Sequence, residues 1–214
     1  MDVAELLAPL PELVDAGPGS PGPTGGATAD GVRFAGLELS GDATGAHLLE
    51  CLLADCALDG LLLQRSRLAT VGLLRCRATE LLAADATWLD VVVEAGRLGA
   101  LTAHGASWTR VVLTGVRADY VNLRGATLSE VDLVDCDLGE LDLAGAQVRR
   151  LRVTGGEVRA LQLAGATCRD VDLTGAGVPV LDGVTGLRGC TISAAQLAGW
   201  AGGMAAELGI RVPG

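Results

Sequence analysis

The stretch VNLRG at residues 121–125 returns as LDLAG at residues 141–145 and as VDLTG at residues 171–175. With the middle leucine taken as the centre of each unit, centres fall at every fifth residue from Leu48 to Val178. A strand repeats every two residues and a helix every 3.6, so neither alone gives a period of five. The chain must therefore turn after each short extended piece, and glycine at the last position of many units suits such a corner.

A second period, of 20 residues, indicates how many units close one coil. The residue two positions before the centre is large in one series (Leu61, Leu81, Leu101, Val121, Leu141 and Leu161) and small in another (Ser66, Ala86, Ala106, Ala126, Ala146 and Ala166). Four units therefore make one coil, and equivalent residues of successive coils stack at about 4.8 Å. Trp88 and Trp108 should then point inward in adjacent coils, where nearby centres are the small residues Ala83, Ala103 and Ala118.

The sequence divides into four segments. We expect an N-terminal helical extension over residues 1–16, a flexible Gly/Pro linker over 17–29, coils over 30–192, and a helix with a tail over 193–214. In the last segment Ser193 and Gln196 form a capping-box pair. The residues predicted to share one face of this helix are Leu197, Trp200, Met204 and Leu208. That face predicts either a cap on the last coil or a homodimer interface.

The net charge of the chain limits the kinds of partner that it can bind. Sixteen arginines stand against 26 acidic residues, so the net charge is −10. Such a surface disfavours direct binding to nucleic acid or to an anionic membrane and favours a cationic partner. The chain shows no cationic leader followed by an apolar run and no apolar run long enough to span a membrane, which predicts a cytoplasmic protein.

The residues that carry most enzyme chemistry are missing. The chain has no lysine, which excludes a P-loop lysine, a Schiff base and pyridoxal attachment. His47 and His104 fall on outward positions without the spacing of a metal site or a catalytic triad. The six cysteines are predicted to be buried thiols, and they are Cys51, Cys56, Cys76, Cys136, Cys168 and Cys190. We therefore expect no enzyme activity, no cofactor and no metal.

The repeated motif of a small apolar residue, Asp or Asn, Leu, a variable residue and Gly resembles the pentapeptide-repeat family over residues 32–192. This resemblance implies an all-β fold, a right-handed quadrilateral β-helix of about eight coils, with the C-terminal helix as its cap. The helix is similar to the dimerising end of mycobacterial-type fluoroquinolone-resistance members. Those members mimic DNA and occupy the DNA-binding saddle of DNA gyrase.

The resemblance implies a non-enzymatic DNA mimic that binds DNA gyrase or another type II topoisomerase and protects it from an inhibitor, in antibiotic resistance or self-immunity. The acidic patch expected to make this contact is the run Glu130, Asp132, Asp135, Asp137, Glu140 and Asp142. The alternative is a structural or scaffold solenoid that binds an unrelated protein partner. Arg77, Arg97 and Arg117 form a basic column that either pairs with Glu80, Glu94 and Asp119 or marks a different partner.

Overall fold

The computed structural model describes residues 6, 10, 12–17 and 22–212, and most of this part is parallel β-strand. The strands are β1 (Val14–Asp15), β2 (Thr28–Asp30), β3 (Val32–Ala35), β4 (Gly41–Asp42), β5 (His47–Leu49), β6 (Leu52–Ala54), β7 (Leu61–Leu62), β8 (Arg67–Leu74), β9 (Arg77–Leu82), β10 (Thr87–Glu94), β11 (Arg97–Thr102), β12 (Ser107–Thr114), β13 (Arg117–Asn122), β14 (Thr127–Asp142), β15 (Gln147–Gln162), β16 (Thr167–Arg169), β17 (Val171–Asp172), β18 (Val180–Asp182) and β19 (Cys190–Thr191). A 3₁₀ helix (Val184–Leu187) and the helix α1 (Ala194–Glu207) complete the chain.

The strand register confirms a four-sided coil of 20 residues. Val91 pairs with Val71 on one side and with Val111 on the other, and Leu101 pairs with Leu81 and Val121. We number the sides of a coil by the centres of its four units, so that Trp108, Leu113, Ala118 and Leu123 mark sides one to four. The stack has about nine turns, slightly more than the eight expected, because β1 adds a partial turn beyond β3.

The coils at both ends are shorter than 20 residues. Thr28 pairs with His47 and Val171 with Cys190, each 19 residues apart, and Val14 pairs with Val32 at a distance of 18. In the sequence this shortening is visible as two gaps of nine residues between centres, from Leu39 to Leu48 and from Val178 to Leu187. One corner of each end coil is therefore tighter, while other sides keep the 20-residue register.

Inward residues form one core along the length of the solenoid. They occupy the centre of each unit and the position two before it, and they belong to a single buried cluster that runs from Phe34 to Ala176. The backbone of each coil bonds to the next, as in the 2.8 Å bond from Ala83 N to Thr102 O. Packing and backbone pairing thus both follow the 20-residue register.

The corners depend less on glycine than the sequence indicates. Thirteen non-glycine residues of the described part have positive φ, among them Asp55 at 56° and Arg110 at 52°. This conformation is unfavourable for residues with a Cβ, and it persists only where the surrounding structure imposes it. Here the bonds of the coils above and below impose it at each corner.

Trp88 and Trp108 stack inside the solenoid as predicted. Their ring centroids are 4.8 Å apart with an interplanar angle of 7°, and both residues are at most 1% exposed. The centres on side four of these coils, Ala83 and Ala103, are fully buried and leave room for the indoles. Neither indole N–H has a hydrogen-bond partner among the described atoms. An unpartnered buried N–H costs stability, so burial of the two rings must outweigh that penalty.

The N-terminal segment differs from expectation in its described part. The predicted helix over residues 1–16 lies largely outside the described residues; of the described ones, Leu6 is helical, whereas Val14–Asp15 form a strand. Leu6 is buried against Val92 and Val112, which point outward because their neighbours in the strand point into the core. Leu6 therefore packs on side two of the solenoid. The expected linker over residues 17–29 also ends early, because Thr28 already belongs to β2.

The C-terminal helix caps the last coil. Ser193 and Gln196 form the predicted capping box, with Ser193 N donating to Gln196 Oε1 at 2.7 Å. Gln196 Nε2 donates to Leu173 O and Gly177 O at 2.7 and 2.6 Å. Trp200 Nε1 donates to Pro179 O at 2.8 Å, and Trp200 is 5% exposed. The helix thus supplies donors to carbonyls that no further coil can reach.

We expect Trp88→Phe to lower the free energy of unfolding by only about 1 kcal/mol, because it removes the unpartnered N–H along with some volume. Trp88→Ala should lower it by about 3 to 5 kcal/mol, because it leaves a cavity. Urea denaturation followed by circular dichroism measures both. Trp200→Phe is the control, since it removes an indole N–H that is bonded; a smaller loss there than for Trp88→Phe would contradict this account.

Candidate protein-binding surface

Outward residues 20 positions apart lie above one another, so the surface of the solenoid is organised in columns. The predicted acidic patch is a run within β14, and this strand bends around the coil. Glu130 lies on side one, Asp135 on side two, Asp137 and Glu140 on side three, and Asp142 at the start of side four. The six acids therefore lie on different sides of the rod rather than on one face, and their role in binding stays a prediction.

Asp142 cannot serve as a contact for a partner. Its side chain is 2% exposed and accepts the Arg124 Nε–H at 2.5 Å. The same carboxylate also accepts the Tyr120 hydroxyl at 2.9 Å and the Ala144 N–H at 3.0 Å. Burial raises the pKa of Tyr120, and the bond to Asp142 raises it further. Asp142 is thus a structural carboxylate, which corrects its assignment to the binding surface.

Two more of the six predicted acids form ion pairs with the following coil. Glu130 accepts a hydrogen bond from Arg150, and Asp137 accepts one from Arg159 at 2.5 Å. Their negative charge is largely compensated on the surface. A cationic partner would have to compete with these arginines for the carboxylates.

The remaining three predicted acids occupy different environments. Asp135 is exposed and sits at a left-handed corner with φ of 50°. Glu140 is half-buried and pairs in register with Tyr120. Asp132 is half-buried and stands in register between Val112 and Arg152. Of these three acids, only Asp135 is exposed, as a residue that contacts a partner has to be.

Charges alternate in sign down the corner column of side one. In coil order the column reads Asp90, Arg110, Glu130, Arg150 and Asp170. Arg110 donates to Asp90 through Nε at 2.5 Å and through Nη2 at 2.8 Å. The stacked carboxylates and guanidinium groups thus neutralise one another along this edge.

A similar pair joins Asp55 and Arg75 on side two. Arg75 donates to both carboxylate oxygens at 2.7 Å. These bonds lower the pKa of Asp55, so their contribution to stability is present at neutral pH and is lost as the pH falls through the lowered pKa. Both side chains are more than half exposed, and such a pair contributes little to stability.

Several carboxylates of the central coils form no ion pair within the described part of the chain. We call them the open carboxylates, and they are Glu80, Asp85, Asp119, Asp135 and Glu140. They lie on sides two, three and four. Sequence reasoning missed Asp85 and assigned Glu80 and Asp119 to ion pairs, although the outward columns already place them on the surface. Reading acids down columns rather than along the chain would have found the set.

The predicted basic column exists. Arg97 pairs in register with Arg77 and Arg117, and all three side chains are exposed on side three. The expected ion pairs with Glu80, Glu94 and Asp119 do not form among the described residues. This column is therefore a run of like charges, unlike the alternating column of side one.

The segment 106–145 matches the family model described as Pentapeptide repeats, in eight copies. It lies in the middle of the solenoid and shares its register with the coils on both sides. Over this segment the chain is similar to the pentapeptide-repeat family. No curated protein matches the chain.

Two solved structures of QnrB1, a plasmid-mediated fluoroquinolone resistance protein, resemble this chain in part. Both come from trypsin-treated variants. One is 15% identical, covers 88% of this chain and 99% of the other, and gives a TM-score of 0.44. The second is 14% identical, covers 91% and 94%, and gives a TM-score of 0.26. Because both scores are below 0.5, the fold assignment rests on the strand register and the family match.

The residues predicted to form a dimer interface differ in burial on helix α1. Trp200 faces the last coil and is buried there, so it is not available to a second copy. Leu197 and Leu208 are 52% and 76% exposed, and Met204 is half-buried at a small apolar groove beside Leu187. Trp200 thus takes the capping role, one of the two predicted for this face, and the dimer interface stays a prediction.

The cysteines lie mainly in the core of the solenoid, and the two histidines lie on its surface. All six cysteines are free; four are buried as predicted, but Cys168 and Cys190 are only half-buried. Burial raises the pKa of Cys76 to about 11. A hydrogen bond between Cys168 and Cys190 lowers the pKa of the former and raises that of the latter. His47 and His104 are exposed, as expected.

Neither a metal site nor a membrane-spanning helix is present among the described residues. They hold no group of three or more His, Cys, Asp or Glu side chains placed to bind a metal ion. No helix among them is long and apolar enough to cross a membrane.

We expect Arg124→Gln to lower the free energy of unfolding several times more than Arg75→Gln. The first change leaves the buried carboxylate of Asp142 without its cation, whereas the second frees a carboxylate that water already reaches. Urea denaturation at neutral pH compares the two. Equal losses would contradict a structural role for Asp142, and Tyr120→Phe tests the second bond to the same carboxylate.

Proposed function

We propose that this solenoid is a non-enzymatic DNA mimic that binds DNA gyrase or another type II topoisomerase and protects it from an inhibitor. The observation that carries the proposal is the set of open carboxylates on three sides of the central coils. Duplex DNA presents negative charge all around a narrow rod, at one charge per about 1.7 Å of its axis. A rod with carboxylates on several sides fits a cationic DNA-binding surface better than one with a single acidic patch would.

The net charge of −10 supports the same partner class. Arginines neutralise many carboxylates in pairs, so the excess of acid resides in side chains such as Asp85, Asp119 and Asp135. These exposed groups can reach lysines and arginines of a partner with little desolvation. The attraction would act at a distance and would weaken with salt.

The choice of a topoisomerase follows the resemblance of the repeat and of the C-terminal helix to gyrase-protecting members of the family. The proposed contact is made by one coil of the solenoid and still includes Glu130, Asp132, Asp137 and Glu140. Asp142 is not part of it. The proposal places the protein in the cytoplasm, where its partner acts.

A scaffold function, with an unrelated protein as partner, is the second candidate. It is favoured by the alternating column of side one, because a mimic of a uniform polyanion has no need of the arginines Arg110 and Arg150. The same gyrase experiment separates the two functions.

We expect micromolar protein to inhibit supercoiling by purified gyrase and to reduce the effect of a quinolone or other gyrase inhibitor. The variant Asp85→Asn/Asp119→Asn/Asp135→Asn should need about tenfold more protein for the same inhibition, because it removes three open carboxylates. Supercoiling assays on a closed plasmid over a range of protein concentrations measure this.

The matched control is Asp30→Asn/Glu38→Gln/Glu50→Gln, which makes the same change in net charge at exposed positions of the first coils. It should act like the unaltered protein. Equal loss in both variants would mean that only net charge matters. The absence of both inhibition and protection at micromolar protein would exclude the DNA-mimic function.

We also propose that α1 joins two copies into a homodimer through Leu197, Met204 and Leu208, with Trp200 retained as the cap. Light scattering at micromolar concentration should give the mass of a dimer. Leu208→Glu should give a monomer with unchanged circular dichroism, because Leu208 is exposed. A monomeric mass for the unaltered protein would exclude the interface.

A further inference from the structure

The basic column of Arg77, Arg97 and Arg117 departs from the alternation of charge in the corner column of side one. The three residues are in register on adjacent coils, where equivalent atoms stack at about 4.8 Å. All three are exposed, and none forms an ion pair with any residue that the structure describes. On side one, by contrast, Asp90 and Glu130 flank Arg110, and charge alternates.

Like charges placed directly opposite one another on neighbouring strands destabilise a sheet. Arginine keeps its charge at every accessible pH, so this repulsion cannot be relieved by loss of a proton. An anion placed between two adjacent guanidinium groups would relieve it. The planar fork of arginine suits a carboxylate or a phosphate, which it can bind through two parallel N–H bonds.

A shallow groove runs beside the column. It has a volume of about 350 Å³, and its lining includes Arg97, Arg117, Gly99 and Asp119. A Cβ atom at Gly99 would lie 2.4 Å from the carbonyl oxygen of Thr79, so no side chain can fill the groove at that point. Arginine side chains therefore stand over an open stretch of backbone, which leaves space for an extended ligand.

We propose that this groove and the basic column form a binding site for an extended acidic peptide segment of a partner protein. Carboxylates on one face of an extended chain recur at about 6.8 Å, which the long arginine side chains can match when they splay from their 4.8 Å spacing. The site takes carboxylates at Arg77, Arg97 and Arg117. It goes beyond the proposed topoisomerase contact, which requires a cationic partner surface.

A peptide fits the site better than a nucleic acid. Asp119 and Asp137 line the same groove and would repel either kind of anion, so the choice of a peptide rests on the aromatic residues. Single-stranded nucleic acid is also held by stacking of its bases on exposed aromatic rings. The described aromatic residues offer none, since Trp88, Trp108, Trp200 and Phe34 are buried and half-buried Tyr120 is bonded to Asp142.

We expect a fluorescein-labelled oligoglutamate peptide to bind the full-length protein, as measured by fluorescence anisotropy, with an affinity that falls as potassium chloride is added. Arg77→Gln/Arg97→Gln/Arg117→Gln should weaken binding by about tenfold or more. This variant should fold, because it removes repulsion. Circular dichroism and thermal melting check this, and a midpoint no lower than that of the unaltered protein is expected. Arg97→Gln alone, at the centre of the column, should give an intermediate loss.

The matched control is Arg65→Gln/Arg67→Gln/Arg211→Gln, which removes the same charge from exposed arginines that lie outside the basic column. It should bind the peptide within about twofold of the unaltered protein. Equal loss in both triple variants would show general electrostatic attraction and overturn the site. Tighter binding of an oligothymidylate of equal charge would overturn the assignment to a peptide. Gyrase inhibition should persist in the column variant, so failure of this site and failure of the proposed function are separable.

Discussion

The stacking of equivalent residues every 20 positions is the constraint on which the rest of this structure depends. Each residue has the same position in the coil above and in the coil below, and it contacts them through both backbone and side chain. In the core, the inward side chains of each coil together fill about the same volume. Trp88 and Trp108 stack on each other, and the small Ala83 and Ala103 centres of the same coils leave room for them. At the corners it holds even Asp55 and Arg110 in a left-handed conformation.

The same rule has the opposite consequence outside. Like apolar residues stack well, but like charges repel, so an outward column is most stable when carboxylates and guanidinium groups alternate. Asp90, Arg110 and Glu130 show this arrangement. The corner column of side one therefore carries little net charge. Departures from that state, in the open carboxylates and in the basic column, are where the exterior can attract a partner of opposite charge.

The fold could be predicted from the sequence because the repeat is short and the same two positions of each unit point into the core. The 20-residue alternation in size of the residue two before each centre predicts four sides, as the strand register confirms. The binding surface could not be read in the same way. The run from Glu130 to Asp142 looked continuous because it is continuous in the chain, yet a coil carries it around the rod. The ion pair of Asp142 with Arg124 joins residues 18 positions apart, which a five-residue motif does not show. The contact of Leu6 with Val92 and Val112 had no periodic signal at all.

The C-terminal helix shows how an end of the stack creates a new surface. The last coil leaves carbonyls and core residues that no further coil covers, and such open edges invite pairing with other chains. Gln196 satisfies two of those carbonyls and Trp200 covers the core, so one face of α1 is committed to the solenoid. A helix that served only as a cap would present polar residues on its other face. Here that side carries Leu197 and Leu208, so the cap closes one apolar surface and exposes another. A second copy of the helix is the simplest structure that would bury it.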